Sequence, residues 1–273
     1  MSTASSTSTV VYEQQDGVAW IRFNRPESRN ALGAQEARLC VELLQRASAD
    51  DDVAGIIVSS TSDTFAAGAD LREMIQELED IGSGKLTVSE VIEGVSEDWM
   101  AVARLMRAAK KPVIASVAGY ALGAGCEVAL DCDLIVATED AMFGFPESRA
   151  GMSITGGLTK LLAQSIGMAR ARDLVLTGRF IAAREAHEIG MINRVVPAGT
   201  NDEAALELLG EVLRHSPLST LAHKRMLQQA ADMDVEAVYN LEKQSIGVLL
   251  TTEDAVEASK AFIEKRAPVF KGR

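Results

Sequence analysis

One stretch constrains the fold of this chain more than any other: Val113-Ile-Ala-Ser-Val-Ala-Gly-Tyr-Ala-Leu-Gly-Ala-Gly-Cys-Glu-Val-Ala-Leu130. An apolar, β-branched run stops at Gly119, and Gly123, Ala124 and Gly125 then precede a carboxylate, Glu127. β-Branched residues favour a strand, and small residues let a chain bend sharply with another group close to its backbone. A helix that begins at the bend has first N–H groups without internal partners, free to meet a ligand. Backbone donors beside a carboxylate suit chemistry on a carbonyl.

The flanking sequence continues the alternation. Residues 10–12 and 18–23 read as a hairpin around Gln15-Asp16-Gly17, ended by Pro26. Residues 34–47 have helical spacing, and 53–58 form a short apolar run typical of a buried strand. Asp70, with Glu73 three residues later, marks a helix start. Gly82-Ser83-Gly84 breaks the pattern, so 76–98 read as a mobile loop or short helices, with a helix over 99–108 and a strand opening at Pro112. Further on come strands at 134–137, 142–143 and 192–196, with helices at 158–166 and 182–189, the latter closed by Gly190. Helical pattern then runs from 202 to 266, broken at Ser216-Pro217 and near Met233-Asp234. The expected organisation is a disordered Ser/Thr tail at 1–9, an α/β core at 10–200 and a helical region at 201–273. A strand, small-residue bend and helix occur twice, at Ala66-Ala-Gly-Ala-Asp70 and at Gly123-Ala-Gly125. If both bends lie on one side of a sheet, their N–H groups can converge.

Composition removes several function classes. With 273 residues, of which 47% are apolar, the chain can bury a large core. No apolar run approaches the ~20 residues of a membrane span, and the opening residues lack the basic start and apolar centre of a secretory signal, so no membrane partner is expected. A formal charge of −12 argues against nucleic acid, which needs a basic surface. Cys40, Cys126 and Cys132 lie among apolar neighbours without metal-ligand spacing, and read as buried thiols of a reducing compartment.

His187, His215 and His223 fit no metalloprotease pattern and read as surface or packing residues. No G-x-S-x-G elbow supports a serine hydrolase, and Gly151-x4-Gly156-Gly157 lacks the Lys and Ser/Thr of a phosphate loop. Carboxylates remain. Glu127 and Glu147 each sit in apolar surroundings rather than on a charged face. Burial raises a carboxyl pKa and a neighbouring acid raises it further, giving a pair able to hold one proton and one lone pair near neutral pH. The same residues also read as buried structural acids, and spacing alone leaves both readings open.

Phe65-Ala-Ala-Gly-Ala-Asp-Leu-Arg-Glu-Met74, Gly119-Tyr-Ala-Leu-Gly-Ala-Gly-Cys-Glu127 and Phe143-Gly-Phe-Pro-Glu147 together resemble the enoyl-CoA hydratase/isomerase (crotonase) superfamily, and most nearly its enoyl-CoA hydratases. Arg25-Pro26…Asn30-Ala31-Leu32, Leu176-Thr-Gly178…Asn193-Arg-Val-Val-Pro197 and Ala261-Phe-Ile-Glu-Lys-Arg266 extend the likeness. The resemblance covers nearly all of the chain except the Ser/Thr tail and 76–98, with the motifs in the family's order.

It implies a spiral of repeated ββα units with a C-terminal helical trimerisation region, and hence a cytoplasmic homotrimer or homohexamer. It implies an acyl-CoA thioester substrate in fatty acid metabolism, no metal, and no cofactor beyond the coenzyme A of the substrate. By that likeness Ala69 and Ala124 donate backbone N–H groups to the thioester oxygen, and Glu127 and Glu147 do the acid/base work of adding water to the α,β double bond. Ala67, Gly68, Asp70, Leu71, Arg72 and Gly123 match substrate-binding positions, and Phe262 and Lys265 match CoA contacts. Relatives with the same site also run isomerisation, dehydration and thioester hydrolysis; retention of both glutamates favours the hydratase. Ala124 stands where a glycine is common, which requires the backbone there to avoid positive φ. The segment after Glu147 lacks a usual proline before Gly156-Gly157, and Arg149 reads as a solvated cation or a partner for an acidic acyl group.

Overall fold

The computed structural model describes residues 8–273. Of the tail expected over 1–9, residues 1–7 lie outside the described residues. Ser8 and Thr9 are tied to the first hairpin: Asn24 donates from its side chain to Ser8 O at 2.8 Å and from its backbone to Thr9 O at 2.8 Å. The chain divides into two units, residues 8–109 with 113–206, and residues 110–112 with 207–273.

The first unit opens with β1 (Val10–Gln15) and β2 (Val18–Phe23), antiparallel, with Asp16 and Gly17 both at positive φ as a two-residue hairpin turn requires. Helix α1 (Ala34–Ala49) buries Cys40, Leu43, Leu44 and Ala47 of the stripe Leu39, Cys40, Leu43, Leu44 and Ala47 that spacing predicts. Leu39 is half-buried, while Ala37 and Glu36, the latter expected on the polar face, are buried as well. Strand β3 (Gly55–Ser60) is buried along nearly all its length, as a parallel strand covered on both faces should be. The interrupted region is helical on both sides of the break: α2 (Leu71–Gly82), a short α3 (Val88–Val91) and a π-turn at Ile92–Ser96 lead into α4 (Glu97–Ala108), which starts two residues earlier than expected. Thr87 explains the restart. Its hydroxyl accepts from Glu90 N–H while the Glu90 carboxylate accepts from Thr87 N–H, a reciprocal cap.

Strand β4 (Val113–Val117) enters the same sheet, β5 (Tyr120–Leu122) leaves it for a second sheet, and α5 (Ala124–Asp131) follows. The pattern repeats with β6 (Leu134–Thr138) and β7 (Met142–Gly144), after which α6 (Leu158–Ile166) and α7 (Met168–Thr177) precede β8 (Phe180–Ala182), α8 (Ala183–Glu188) and β9 (Arg194–Val196). The large sheet has the order β1-β2-β3-β4-β6-β9 and is parallel from β2 onward; the small one has the order β5-β7-β8. Single bridges extend the small sheet's ladder toward the N-terminus, Leu32 with Ala69 and Ala66 with Ala121. Each turn of chain therefore places one strand in the large sheet, one short extended piece in the second layer, and a helix. This is the expected spiral of ββα units. Phe23 and Phe65 meet edge to face at 5.4 Å between these layers.

In the second unit, α9 (Asn201–Leu213) contains the division between units at 206/207, several residues beyond the boundary expected at 200/201. α10 (Pro217–Ala230) and α11 (Val235–Leu249) are separated at Met233-Asp234, and α12 (Glu253–Glu264) starts from a further break, at Thr252, that periodicity alone does not mark. The Asp254 carboxylate, 2% exposed, accepts from Ser216 Oγ and from the backbone of Lys271 and Gly272, pinning the C-terminal residues to α12.

Candidate active site

The two small-residue bends are paired through backbone. Ala66 N–H donates to Tyr120 O at 2.9 Å, and Leu122 N–H donates to Ala66 O at 3.0 Å. The approach is close enough to forbid side chains. A β-carbon on Gly125 would lie 2.4 Å from Ala66 O, so only glycine lets α5 begin there. Gly123 takes the positive φ of the bend (51°), which leaves Ala124 in an ordinary conformation and resolves the strain that an alanine at this site posed. Among the described residues, neither Ala69 N–H nor Ala124 N–H donates to a protein acceptor. Ala69 is exposed and Ala124 half-buried, so both groups remain available on neighbouring bends.

Glu127 lies in the first turn of α5, 8% exposed. Thr155 grips both its oxygens: the backbone N–H donates to Oε1 at 2.6 Å and the hydroxyl donates to Oε2 at 2.8 Å. Burial raises this carboxyl above its ordinary pKa, and the two Thr155 donors work the other way by favouring the charged form. Glu147 follows β7 on the 3₁₀ turn Pro146–Ala150, its carboxyl against Gly123. Its Oε2 is buried with no hydrogen-bond partner among the described residues. Burial pushes the carboxyl up to about 7, opposed by its own backbone N–H and reinforced by the charge of Glu127. The structure therefore holds two acids in unlike settings: Glu127 with a donor on each oxygen, and Glu147 with a buried oxygen that has none.

The other expected ligand positions differ in what they offer. Gly68 is buried at the bend, and Ala67 spends its N–H on Arg29 O. The Asp70 side chain is turned to the protein: it caps α2 through Arg72 N–H at 3.0 Å and accepts from Arg25 Nη2 at 2.9 Å. Burial pushes its carboxyl up, but the Arg72 N–H and the Arg25 guanidinium together outweigh that and hold it below the usual carboxylate range. Glu73 does not complete a capping box with Asp70; it accepts from Ala34 N–H at the start of α1 instead. Leu71 and Arg72 are exposed on α2, where Leu71, Ile75 and Leu78 form an apolar face open to solvent. Phe262 and Lys265 belong to the second unit; Phe262 is 86% exposed, and Lys265 ends α12 in the left-handed conformation.

Arg149 is exposed and lies over the Phe180 ring at 5.3 Å. His187 Nδ1 is 3.2 Å from Ile192 O, a packing contact. All three cysteines are buried and free, and burial pushes the Cys40 thiol up to about 12. No group of three or more potential metal ligands occurs among the described residues.

Sequence reading missed Thr155 as the residue that holds Glu127, because the two are separated by β6 and β7. The local signal was a lone hydroxyl beside Gly156-Gly157, with nothing to give its target.

Residues 13–273 match the model of the enoyl-CoA hydratase/isomerase family. The chain is 38% identical over 266 residues to a 2,3-dehydroadipyl-CoA hydratase of Escherichia coli K12, covering 97% of this chain and all of that one. It superposes on the crystal structure of an enoyl-CoA hydratase from Polaromonas sp. JS666 with a TM-score of 0.90 at 27% identity, covering 96% and 99% of the two chains. An enoyl-CoA hydratase subunit from Geobacillus kaustophilus HTA426 gives 0.89 at 33% identity, covering 98% and 100%.

Proposed function

The chain belongs to the enoyl-CoA hydratase/isomerase family, and from that premise we propose that it adds water across the α,β double bond of an enoyl-CoA thioester. The observation that carries this reading is the unlike pair of acids: Glu127 gripped by two Thr155 donors, and Glu147 with an unpartnered buried oxygen. Hydration needs one group to take a proton and another to give one, and these settings separate the roles.

In this mechanism the thioester oxygen accepts from Ala69 and Ala124 N–H. Glu127 removes a proton from water as the water oxygen bonds to Cβ. The π electrons move toward the thioester, whose oxygen gains enolate charge in front of the two donors. Glu147 then protonates Cα and the enolate collapses to the 3-hydroxyacyl thioester. A proton returned from Glu127 to Glu147 through solvent restores the starting state. Loss of one such backbone donor costs roughly 3 kcal/mol in other enzymes, so the paired bends supply a large part of the acceleration.

Coenzyme A enters as part of the substrate, and this scheme calls for no metal or separate cofactor. The exposed apolar face of α2 supports an acyl chain lying beside Ala69. Exposed Leu227, Val235, Tyr239, Val248, Leu250 and Ile263 in the second unit support assembly as a homotrimer or homohexamer, with Phe262 and Lys265 contacting CoA. A Lys ammonium suits the CoA phosphates. No helix among the described residues is long and apolar enough to cross a membrane.

The test is the loss of conjugated-thioester absorbance on incubation with crotonyl-CoA, for wild type and for Glu127→Gln and Glu147→Gln. Each variant should lose about 10²- to 10⁴-fold in rate. Variants as fast as wild type overturn the two-acid mechanism. A wild type that only converts 3-enoyl to 2-enoyl thioesters is an isomerase instead.

A further inference from the structure

Behind Glu127 lies another buried acid, which the hydration scheme leaves unused. Asp131 follows Glu127 by four positions on α5, so both side chains leave the same face of the helix. Together with Thr155 and Gly156, and with Trp99, Val102 and Ala103 of α4, they line a recess of about 10 Å³. That is roughly the room of one water molecule, and Glu127, Asp131 and Thr155 give it the polar partners a buried water needs. Asp131 is only 5% exposed, and its Oδ1 is buried without a hydrogen-bond partner among the described residues.

The two acids differ in their donors. Glu127 has one on each oxygen, both from Thr155. The charges acting on Asp131 are Arg107 of α4 and Glu127 of its own helix; Thr155 and Gly156 add none. Asp131 Oδ2 lies 3.4 Å from the place a β-carbon on Gly156 would occupy, and Arg107 Nη1 lies 3.7 Å from the equivalent place on Gly157. The glycine pair thus borders both groups. Burial pushes the Asp131 carboxyl up to about 7, against the pull of Arg107 and with the push of Glu127.

We propose that Asp131 is a positioning residue for Glu127: of the two acids on this recess, Asp131 carries the proton and Glu127 carries the charge. The inference rests on the reading of Glu127 as the base of hydration. Its logic is that a proton shared by two nearby carboxyls settles on the one without donors. Protonated, Asp131 has an O–H to give toward Glu127 through a water in the recess. Ionised, Asp131 would have only the Arg107 charge to offset its burial, with Oδ1 left without a donor, a costly arrangement for a buried charge. Asp131 therefore keeps Glu127 ionised while never touching substrate.

Two measurements decide this, one of them independent of turnover. In the unliganded protein, the infrared C=O band of protonated carboxyls should contain a component titrating near pH 7 that disappears in Asp131→Asn. In Glu127→Gln that component should persist, with its midpoint lower by about half a pH unit because the like charge is gone. A band unchanged by Asp131→Asn overturns the proposal, since Asp131 then carries no proton. In the pH profile of kcat/KM for crotonyl-CoA, Asp131→Leu should move the acid limb up by about half a unit, as Glu127 loses a donor. Asp131→Asn, which keeps an N–H donor, should leave the limb at its wild-type pH. Equal profiles for Leu and wild type overturn the proposal, since a merely structural residue changes stability without moving that limb. A wild type that carries the infrared component yet hydrates no enoyl-CoA defeats the hydratase reading alone and leaves the proton on Asp131.

Discussion

Glu147 Oε1 occupies the space that a side chain on Gly123 would need: a β-carbon there would lie 2.9 Å from that oxygen. The contact joins the end of β7 to the bend before α5, across which Gly123 N–H also donates to Gly144 O at 2.9 Å. Gly123→Ala should therefore displace the carboxyl and strain a bend at φ 51°. Displacement of a catalytic group by about 1 Å can cost on the order of 10²-fold in rate, so kcat for crotonyl-CoA should fall by about that factor. Steady-state kinetics with a folded variant checks it; an unchanged kcat would show that Glu147 is not needed where it sits.

Thr155→Val removes one of the two donors to Glu127 and keeps the backbone N–H. A hydrogen bond to a charged group contributes about 1.5–3 kcal/mol, so kcat/KM should drop by roughly an order of magnitude or more. The acid limb of its pH profile should move up, because the hydroxyl favours the charged carboxylate. Thr155→Ser should recover most of both effects. A Val variant with the wild-type profile would remove Thr155 from the site's electrostatics.

The Glu147 carboxyl titrates at about 7 in the folded chain against an ordinary value of 4.5. Between those values the native state holds a proton that the unfolded state has released, so this group makes stability fall as pH rises from about 4.5 to about 7, with no further loss above. Glu147→Gln lacks that contribution. Urea unfolding at pH 5 and pH 7.5 should show stability declining more in wild type than in the variant. Parallel declines would place the Glu147 carboxyl back in the ordinary range.

Arg25 is the cation between two buried carboxylates, 2.9 Å from Asp70 and 3.3 Å from Glu36. Arg25→Leu takes the cation from both acids, leaving Asp70 its Arg72 N–H donor and Glu36 that of Gly33, and breaking a buried pair costs up to about 3 kcal/mol. The Asp70 carboxyl is held below its usual value of 3.8, so its share of stability is present above that pH and is lost as pH falls through the lower, folded value. The gap between wild type and variant should be full at pH 7 and narrow below about pH 4. Denaturant midpoints at the two pH values measure it.

What could be read from the chain follows the range of the interactions involved. Residues 113–130 declared a strand, a bend and a helix because each change of composition coincides with a change of backbone. The hairpin around Asp16-Gly17 was equally plain. The restart at Thr87 carried a local signature, Thr followed by Glu three residues on, which Gly82-Ser83-Gly84 overshadowed. Helix α7 has no clear helical signature in the sequence, because arginines interrupt its apolar face, of which only Ala171 and Leu174 are buried. Glu73 looked like a partner for Asp70, yet it serves Ala34, 39 residues away. Thr155 meets Glu127 only through tertiary folding, whereas Asp131 shares its helix face four residues on. Acids could be nominated from their neighbours in the chain; the donors that set their charge could not.

Ala66 and Ala121 face each other as bridge partners, and the two free donors stand at the same offset beyond them, three residues on at Ala69 and at Ala124. The two bends are thus held in register by a main-chain bridge rather than by any side chain. Such a register is indifferent to mutation of the surrounding pocket. Under the proposed reaction, the residues that meet the acyl tail are free to change, while the two donors offered to the carbonyl are held by main-chain pairing alone.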